Sequence, residues 1–159
     1  MLLQAPVTYQ GAKHRLAPEI VSQMNLKPDR LAYDVCCGGG SISIELVNKG
    51  FSIKQIRMID SGPWGLFWKQ IGEGTFDLEK LREYLNRIPS DRAHVKDFML
   101  ELSKQPSSID TTQVFLLLQA AAFGGKAIWV HNNSWANCSF RDYWLPTQTS
   151  SRRSPVNPM

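Results

Sequence analysis

Apolar positions along this chain alternate between short unbroken runs and stripes spaced three to four residues apart. Leu31 to Cys37 is a run that enters a glycine turn, Ser41 to Asn48 carries a helical pattern ended by Lys49-Gly50, and Ile56 to Asp60 is a second run. Short apolar runs bounded by turn residues predict strands, stripes predict helices, and a glycine just past a stripe marks a helix C-terminus. The order is therefore β-α-β, which implies a parallel pair with a right-handed crossover. Upstream, Lys13 to Met24 predicts a helix with Leu16, Ile20 and Met24 on its apolar face; Pro18 falls early enough to be tolerated near the first turn. Pro63 to Ile71 predicts a short helix that precedes a break at Gly72-Glu73-Gly74.

Three further helices are predicted downstream. Asp77 can cap one whose Leu78, Leu81 and Leu85 form a stripe, and Ser90 can cap a second with Val95, Phe98, Met99 and Leu102 apolar. Asp110-x-x-Gln113 resembles a capping box opening a third, which runs to Phe123 and is stopped by Gly124-Gly125. That third helix is apolar nearly all round, interrupted by Gln119, and so should be buried. Ala127 to Val130, His131-Asn132-Asn133-Ser134 and Trp135 to Phe140 predict a hairpin with an Asn-rich turn. From Asp142 to Met159 periodicity is weak and three prolines occur, which predicts a loop or frayed tail.

At 159 residues, with 43% apolar and 20% charged positions, the chain has room for one domain with a proper core and an ordinary soluble composition. Val114 to Phe123 is far short of the ~20 apolar residues that span a bilayer. The amino terminus lacks the basic start and apolar stretch of a signal peptide, so the expectation is a cytoplasmic protein without membrane contact. Cys36 and Cys37 are adjacent and Cys138 is distant, and His14, His94 and His131 show no paired spacing, so no metal site is read. The net charge of +4 is mild, but Arg141, Arg152 and Arg153 lie in a carboxyl-terminal segment with few acids. Such a segment suits a phosphate backbone or is simply a solvated tail.

The candidate chemistry centres on Tyr33-Asp34-Val35-Cys36-Cys37-Gly38-Gly39-Gly40-Ser41 and on Asp60. Glycines between a strand and a helix let the backbone approach a ligand, and an acid roughly 20 residues on, at the tip of the next strand, can accept hydrogen bonds from ribose hydroxyls. No Gly-Lys-Ser/Thr follows, so the turn is not a Walker phosphate loop, and Ser43 occupies the sixth position counted from Gly38, where the dinucleotide pattern needs glycine. What remains favours a nucleoside cofactor without a pyrophosphate, S-adenosylmethionine first. The alternatives are a plain tight turn and, for Asp60, a strand-end acid or helix cap. Asp34 is a charge inside a strand, and burying it there requires a partner.

Tyr9-x-Gly11-x-Lys13 before a helix, Asp34-Val35-Cys36-Cys37-Gly38-Gly39, and Met58-Ile59-Asp60 resemble the amino-terminal half of Dam-like DNA adenine methyltransferases, especially phage-borne ones. The likeness continues through Phe67-Trp68-Lys69-Gln70-Ile71 and Ala120-Ala121-Ala122-Phe123-Gly124-Gly125-Lys126, covering most of the chain in the family's order. It implies an α/β fold: an incomplete Rossmann-like methyltransferase sheet with a helical insertion and a target-recognition hairpin. Residues 1–72 would bind S-adenosylmethionine, 73–125 would be helical, and 126–159 would form the truncated recognition region. The implied cofactor residues are Tyr9, Gly11, Lys13, Asp34, Cys36, Gly38, Gly39 and Asp60, with the Lys13 ammonium near the cofactor carboxylate or near the target adenine. Two departures stand out. Cys36 replaces the family's usual aromatic residue, and the catalytic Asp-Pro-Pro-Tyr motif occurs nowhere in these residues.

The implied partner is double-stranded DNA, in the cytoplasm of a bacterial host if the protein is phage-encoded. Such enzymes flip the target base out of the duplex, and its exocyclic amine accepts the sulfonium methyl. Lys126, Asn132, Asn133, Asn137, Arg141, Arg152 and Arg153 are the candidate DNA contacts, since Asn and Arg can bond bidentately to adenine and guanine. Trp129, Trp135 and Trp144 read first as core residues; the alternative, in a hairpin that otherwise carries Asn, Ser and Arg, is that some of them stack on bases or brace the hairpin. Without the catalytic motif, the alternatives are a non-catalytic remnant or regulator and one chain of a split enzyme.

Overall fold

A computed structural model of the protein describes residues 2–27 and 29–141. The described residues form a mixed α/β fold in the order α1 (Ala17–Gln23), β1 (Ala32–Val35), α2 (Ser41–Asn48), β2 (Ile56–Ile59), α3 (Pro63–Glu73), α4 (Leu78–Arg87), α5 (Arg92–Ser103), α6 (Thr111–Ala121), β3 (Trp129–His131) and β4 (Ser134–Ala136). Strands β1 and β2 pair in parallel with Ala32 opposite Ile56 and Val35 opposite Ile59, while β3 and β4 form an antiparallel hairpin. The tail from 142 onward, with Trp144, Arg152 and Arg153, lies outside the described residues.

The unit β1-α2-β2 is fixed at both ends of its helix. Gly40 ends the glycine turn at φ +76°, a left-handed conformation that costs a glycine little, and α2 starts at the next residue. No side chain at Gly40 can cap α2. Asp34 does so from the strand: its Oδ2 accepts the Ser43 amide at 3.3 Å and the Ser43 hydroxyl at 2.7 Å. The partner that a carboxylate inside a strand requires is therefore Ser43.

Most of the core lies elsewhere. Trp64 and Phe67 of α3, Tyr84 of α4, Val95, Met99 and Leu102 of α5, and Val114 to Leu118 of α6 are buried in one cluster with Ile128, Trp135 and Phe140. Helix α6 is buried nearly all round, as its composition requires. Trp135 stacks on Phe115 with centroids 6.3 Å apart, so it braces the hairpin, whereas Trp129 is exposed. The turn residues Asn132 and Asn133 both have positive φ, the conformation a two-residue hairpin turn demands and Asn tolerates.

Several expectations are corrected. Helix α1 begins at Ala17, not Lys13, and buries Ala17 and Val21; Leu16 and Met24 of the predicted apolar face flank the helix at its two caps and are exposed. In α4 the inward residues are Tyr84 and, in part, Leu81, while Leu78 and Leu85 are exposed. Asp91, not Ser90, caps α5, accepting from the Ala93 amide. Asp110 and Gln113 make no capping box. Asp110 sits at φ +41° and accepts instead from the Tyr84 hydroxyl at 2.8 Å, and Gln113 donates to the Asp77 carbonyl.

Candidate functional site

A cleft of about 370 Å³ opens where the glycine turn meets the segment before α1. Its walls include Tyr9, Gly11, Lys13, Asp34, Cys36, Gly38 and Gly39, seven of the eight residues implied as cofactor contacts, together with Ile20, Ser41 and Ile42. This volume is at the low end of the roughly 300–1,000 Å³ of small-molecule sites.

Each wall has a local cause. Cys37 donates its amide to the Ile59 carbonyl at 2.9 Å, which continues the β1–β2 ladder into the turn. Gly38 has φ +50°, and a methyl there would lie 2.9 Å from Cε1 of Tyr9, so the bare backbone lets the Tyr9 ring lie against the turn. Tyr9 is held from behind by Trp64, edge to face at 5.7 Å. Its phenol is pushed above its ordinary pKa by burial and then by the charge of Asp60, so it stays a neutral donor. Lys13 curls so that its Nζ donates to the Gly11 carbonyl at 3.2 Å, keeping an exposed ammonium at the cleft.

Asp60 is placed differently from the expectation. It does not line the cleft. Its Oδ2 accepts the Gly38 amide at 2.9 Å and its Oδ1 the Gly62 amide at 2.8 Å, so both oxygens brace the turn from behind and start α3. Trp68, which the motif carried without a role, completes the brace: its Nε1 donates to the Gly38 carbonyl at 2.8 Å. Nothing in the Trp68 neighbourhood of the sequence announces this, since the bond spans thirty residues.

The two cysteines of the turn diverge. Cys36 is exposed on the cleft wall with φ +63°. Cys37 is buried, and its thiol is pushed up to about 12 by burial and by the charges of Asp60 and Asp34, which keeps it protonated.

The donor set suits a small zwitterionic ligand with an apolar part. Lys13 offers a cation for a carboxylate, Asp34 an anion for hydroxyl or ammonium groups, and Ile20 and Ile42 apolar contact. Ser41 Oγ is buried and has no hydrogen-bond partner among the described residues, so a polar group entering the cleft beside it would relieve an unmet bond.

The hairpin is the candidate nucleic-acid surface. Lys126, Asn132 and Asn133 are exposed. Asn137 is exposed too, but its Nδ2 is committed to the Ala127 carbonyl at 2.7 Å, which closes the hairpin base. Arg141 is half-buried, its amide bonded to the Ala121 carbonyl. Among the described residues no cluster of His, Cys, Asp and Glu could hold a metal ion, and no helix is long and apolar enough to cross a membrane. Comparison of the chain with protein-family models, curated proteins and solved structures gave no match, so the cleft and hairpin rest on their own geometry.

Proposed function

We propose that this chain binds S-adenosylmethionine in the cleft and double-stranded DNA through the hairpin, as the cofactor-and-recognition part of an adenine-specific DNA methyltransferase with a Rossmann-like sheet. The observation that carries this reading is the convergence of Tyr9, Gly11 and Lys13 with Asp34, Cys36, Gly38 and Gly39 on one cleft, from segments more than twenty residues apart. Lys13 would hold the cofactor carboxylate, Asp34 its hydroxyl or ammonium groups, and the glycine backbone would allow close approach. Bound there, S-adenosylmethionine supplies an electrophilic methyl group for the exocyclic amine of adenine. The chain contains no Asp-Pro-Pro-Tyr to orient that amine, and ground-state affinity alone does not lower a chemical barrier, so this chain alone is expected to bind without appreciable turnover. Equilibrium dialysis against labelled S-adenosylmethionine, competed by S-adenosylhomocysteine, tests the reading. Saturable retention is expected, and none by the folded protein would overturn it.

A second reading, in which further polypeptide completes the fold, is favoured by the sheet. Parallel sheets are normally covered on both faces. Here α1 and α2 pack with Ala32 and Leu46, while Tyr33, Val35 and Ile59 are exposed on the other face. A partner chain carrying the missing catalytic motif would supply that cover. The assay is labelled methyl transfer to duplex DNA with and without a carboxyl-terminal half from a Dam-like enzyme: restored transfer supports the split enzyme, and robust transfer by the chain alone contradicts both readings of the site.

A further inference from the structure

Helix α6 buries the side chain of Gln119 completely, with no solvent exposure. A buried amide without partners is costly, and this one is held by two separate segments, Thr8 and residues 125–128. Its Oε1 accepts the Ile128 amide at 3.0 Å, just before β3. Its Nε2 lies 3.0 Å from the Lys126 carbonyl, 3.3 Å from that of Gly125 and 3.4 Å from that of Thr8. The Gly125 carbonyl also accepts the Gln10 amide at 2.6 Å. Gly125 itself is at φ +68°, and a methyl there would lie 3.1 Å from Cγ2 of Thr8.

Thr8 and Gln10 flank Tyr9. The junction at Gln119 therefore sets the position of the residue that lies on Gly38 and opens the wall Tyr9–Lys13 of the cleft. The same amide sets the entry into the hairpin. A second buried amide on the same helix, Gln113, is tied to the Asp77 carbonyl and touches neither the cleft nor the hairpin.

We infer that Gln119 is a positioning residue that couples the cleft to the hairpin: filling the cleft steadies Tyr9 and its flanking backbone, and through the shared amide steadies residues 126–131. This deepens the proposed function and rests on it. Coupling between two sites is an equilibrium property that acts in both directions, so a bound nucleic acid would likewise tighten the cleft.

The test is amide hydrogen exchange with and without S-adenosylhomocysteine, on the unmodified protein and on Gln119→Met, Gly125→Ala and Gln113→Met. Methionine keeps the volume of glutamine and removes its hydrogen bonds. In the unmodified protein, ligand should slow exchange of residues 126–131 by about fivefold or more, the lower end of ordinary coupling. Gln119→Met should speed exchange of residues 8–12 and 126–131 without ligand, weaken ligand affinity, and abolish the response of the hairpin to ligand. Gln113→Met should keep that response, which separates positioning from general destabilisation. Should Gln119→Met fail to fold, Gly125→Ala disturbs the same junction without emptying a buried amide and is expected to lose the response. Absence of ligand binding in the unmodified protein would overturn the cofactor reading and the coupling with it. Binding without a hairpin response, a response that survives in both junction variants, or one equally lost in Gln113→Met would overturn the coupling alone.

Discussion

The two apolar clusters of this molecule differ in how completely they are closed. Helices α3 to α6 and the hairpin share one cluster in which Phe115, Leu118, Val114 and Met99 have no exposed surface. The cluster under β1 and α2 buries only Val21, Ala32 and Leu46. Around it Leu16, Met24, Tyr33, Val35, Ile53 and Ile59 remain exposed, and an apolar groove of about 660 Å³ runs between α2 and α3 past Ile56 and Met58. The helical side thus carries the stability of the chain, while the sheet side carries the candidate site on a scaffold that is covered on one face. The cleft depends on that scaffold through a few specific bonds, those of Asp34, Asp60 and Trp68, more than through packing.

The comparison breaks most visibly in the closed core. Phe115→Ala removes a ring that meets both Trp64 and Trp135, and should cost about 3–5 kcal/mol by denaturant unfolding. A smaller loss would mean that the helical side is looser than its burial implies.

Asp60→Ala comes next. It removes the acceptor of two backbone amides, a loss of about 1.5–3 kcal/mol for bonds to a charged group. Because Asp60 braces the turn from behind, the variant should also lose ligand affinity without any direct ligand contact. An unchanged unfolding midpoint with reduced affinity would instead make Asp60 the ribose acceptor.

Raising the pH titrates both regions. The Cys37 thiol, ordinarily at 9.0, and the Tyr84 phenol, ordinarily at 10.0, are each pushed to about 12, chiefly by burial and then by neighbouring carboxylates. Both unfolded groups lose their protons first, so each contributes stability in full below its unfolded pKa and loses it as pH rises toward the folded one. Stability should fall from about pH 9, by at most about 1.4 kcal/mol per pH unit for each group. Cys37→Ala should shrink the loss of stability between pH 9 and 10, leaving there the share of Cys138, whose thiol burial also raises from 9.0. A loss between pH 9 and 10 that the substitution leaves unchanged would show that Cys37 is not held in a buried, anionic setting.

The smallest effect belongs to the open sheet face. Tyr33→Thr and Ile59→Thr place a β-branched strand former at each exposed position and should change stability by no more than about 0.5 kcal/mol. A cost of several kcal/mol would mean that this face is covered in solution, which sedimentation of the unmodified chain would resolve as self-association.

What the sequence revealed follows the same division. The bounds of α2, the parallel pair, the α6 helix and the Asn-rich hairpin were legible, because period, glycine placement and turn chemistry are local. The stripe Leu16, Ile20, Met24 was legible as a pattern but not as a contact. Periodicity finds an apolar face without saying whether anything packs on it, and here α2 lies on the side of Ala17 and Val21. Leu78 and Leu85 mislead for the same reason. Asp60 was found at the right place by its distance from the turn, yet spacing does not show what its oxygens accept. Gln119 appeared only as an interruption of an apolar run, since its partners at Thr8 and Ile128 are brought to it by the fold.

The central claim is that the glycine turn and the Tyr9–Lys13 segment form a cofactor cleft. Titration calorimetry with S-adenosylhomocysteine on the unmodified chain and on Gly38→Ala measures this directly, with folding of both checked by circular dichroism. A side chain at Gly38 would displace the Tyr9 ring and strain a turn residue at φ +50°. The account predicts binding near one ligand per chain in the unmodified protein and little or none in the variant. No heat from the folded unmodified protein, or equal affinity in Gly38→Ala, would contradict it.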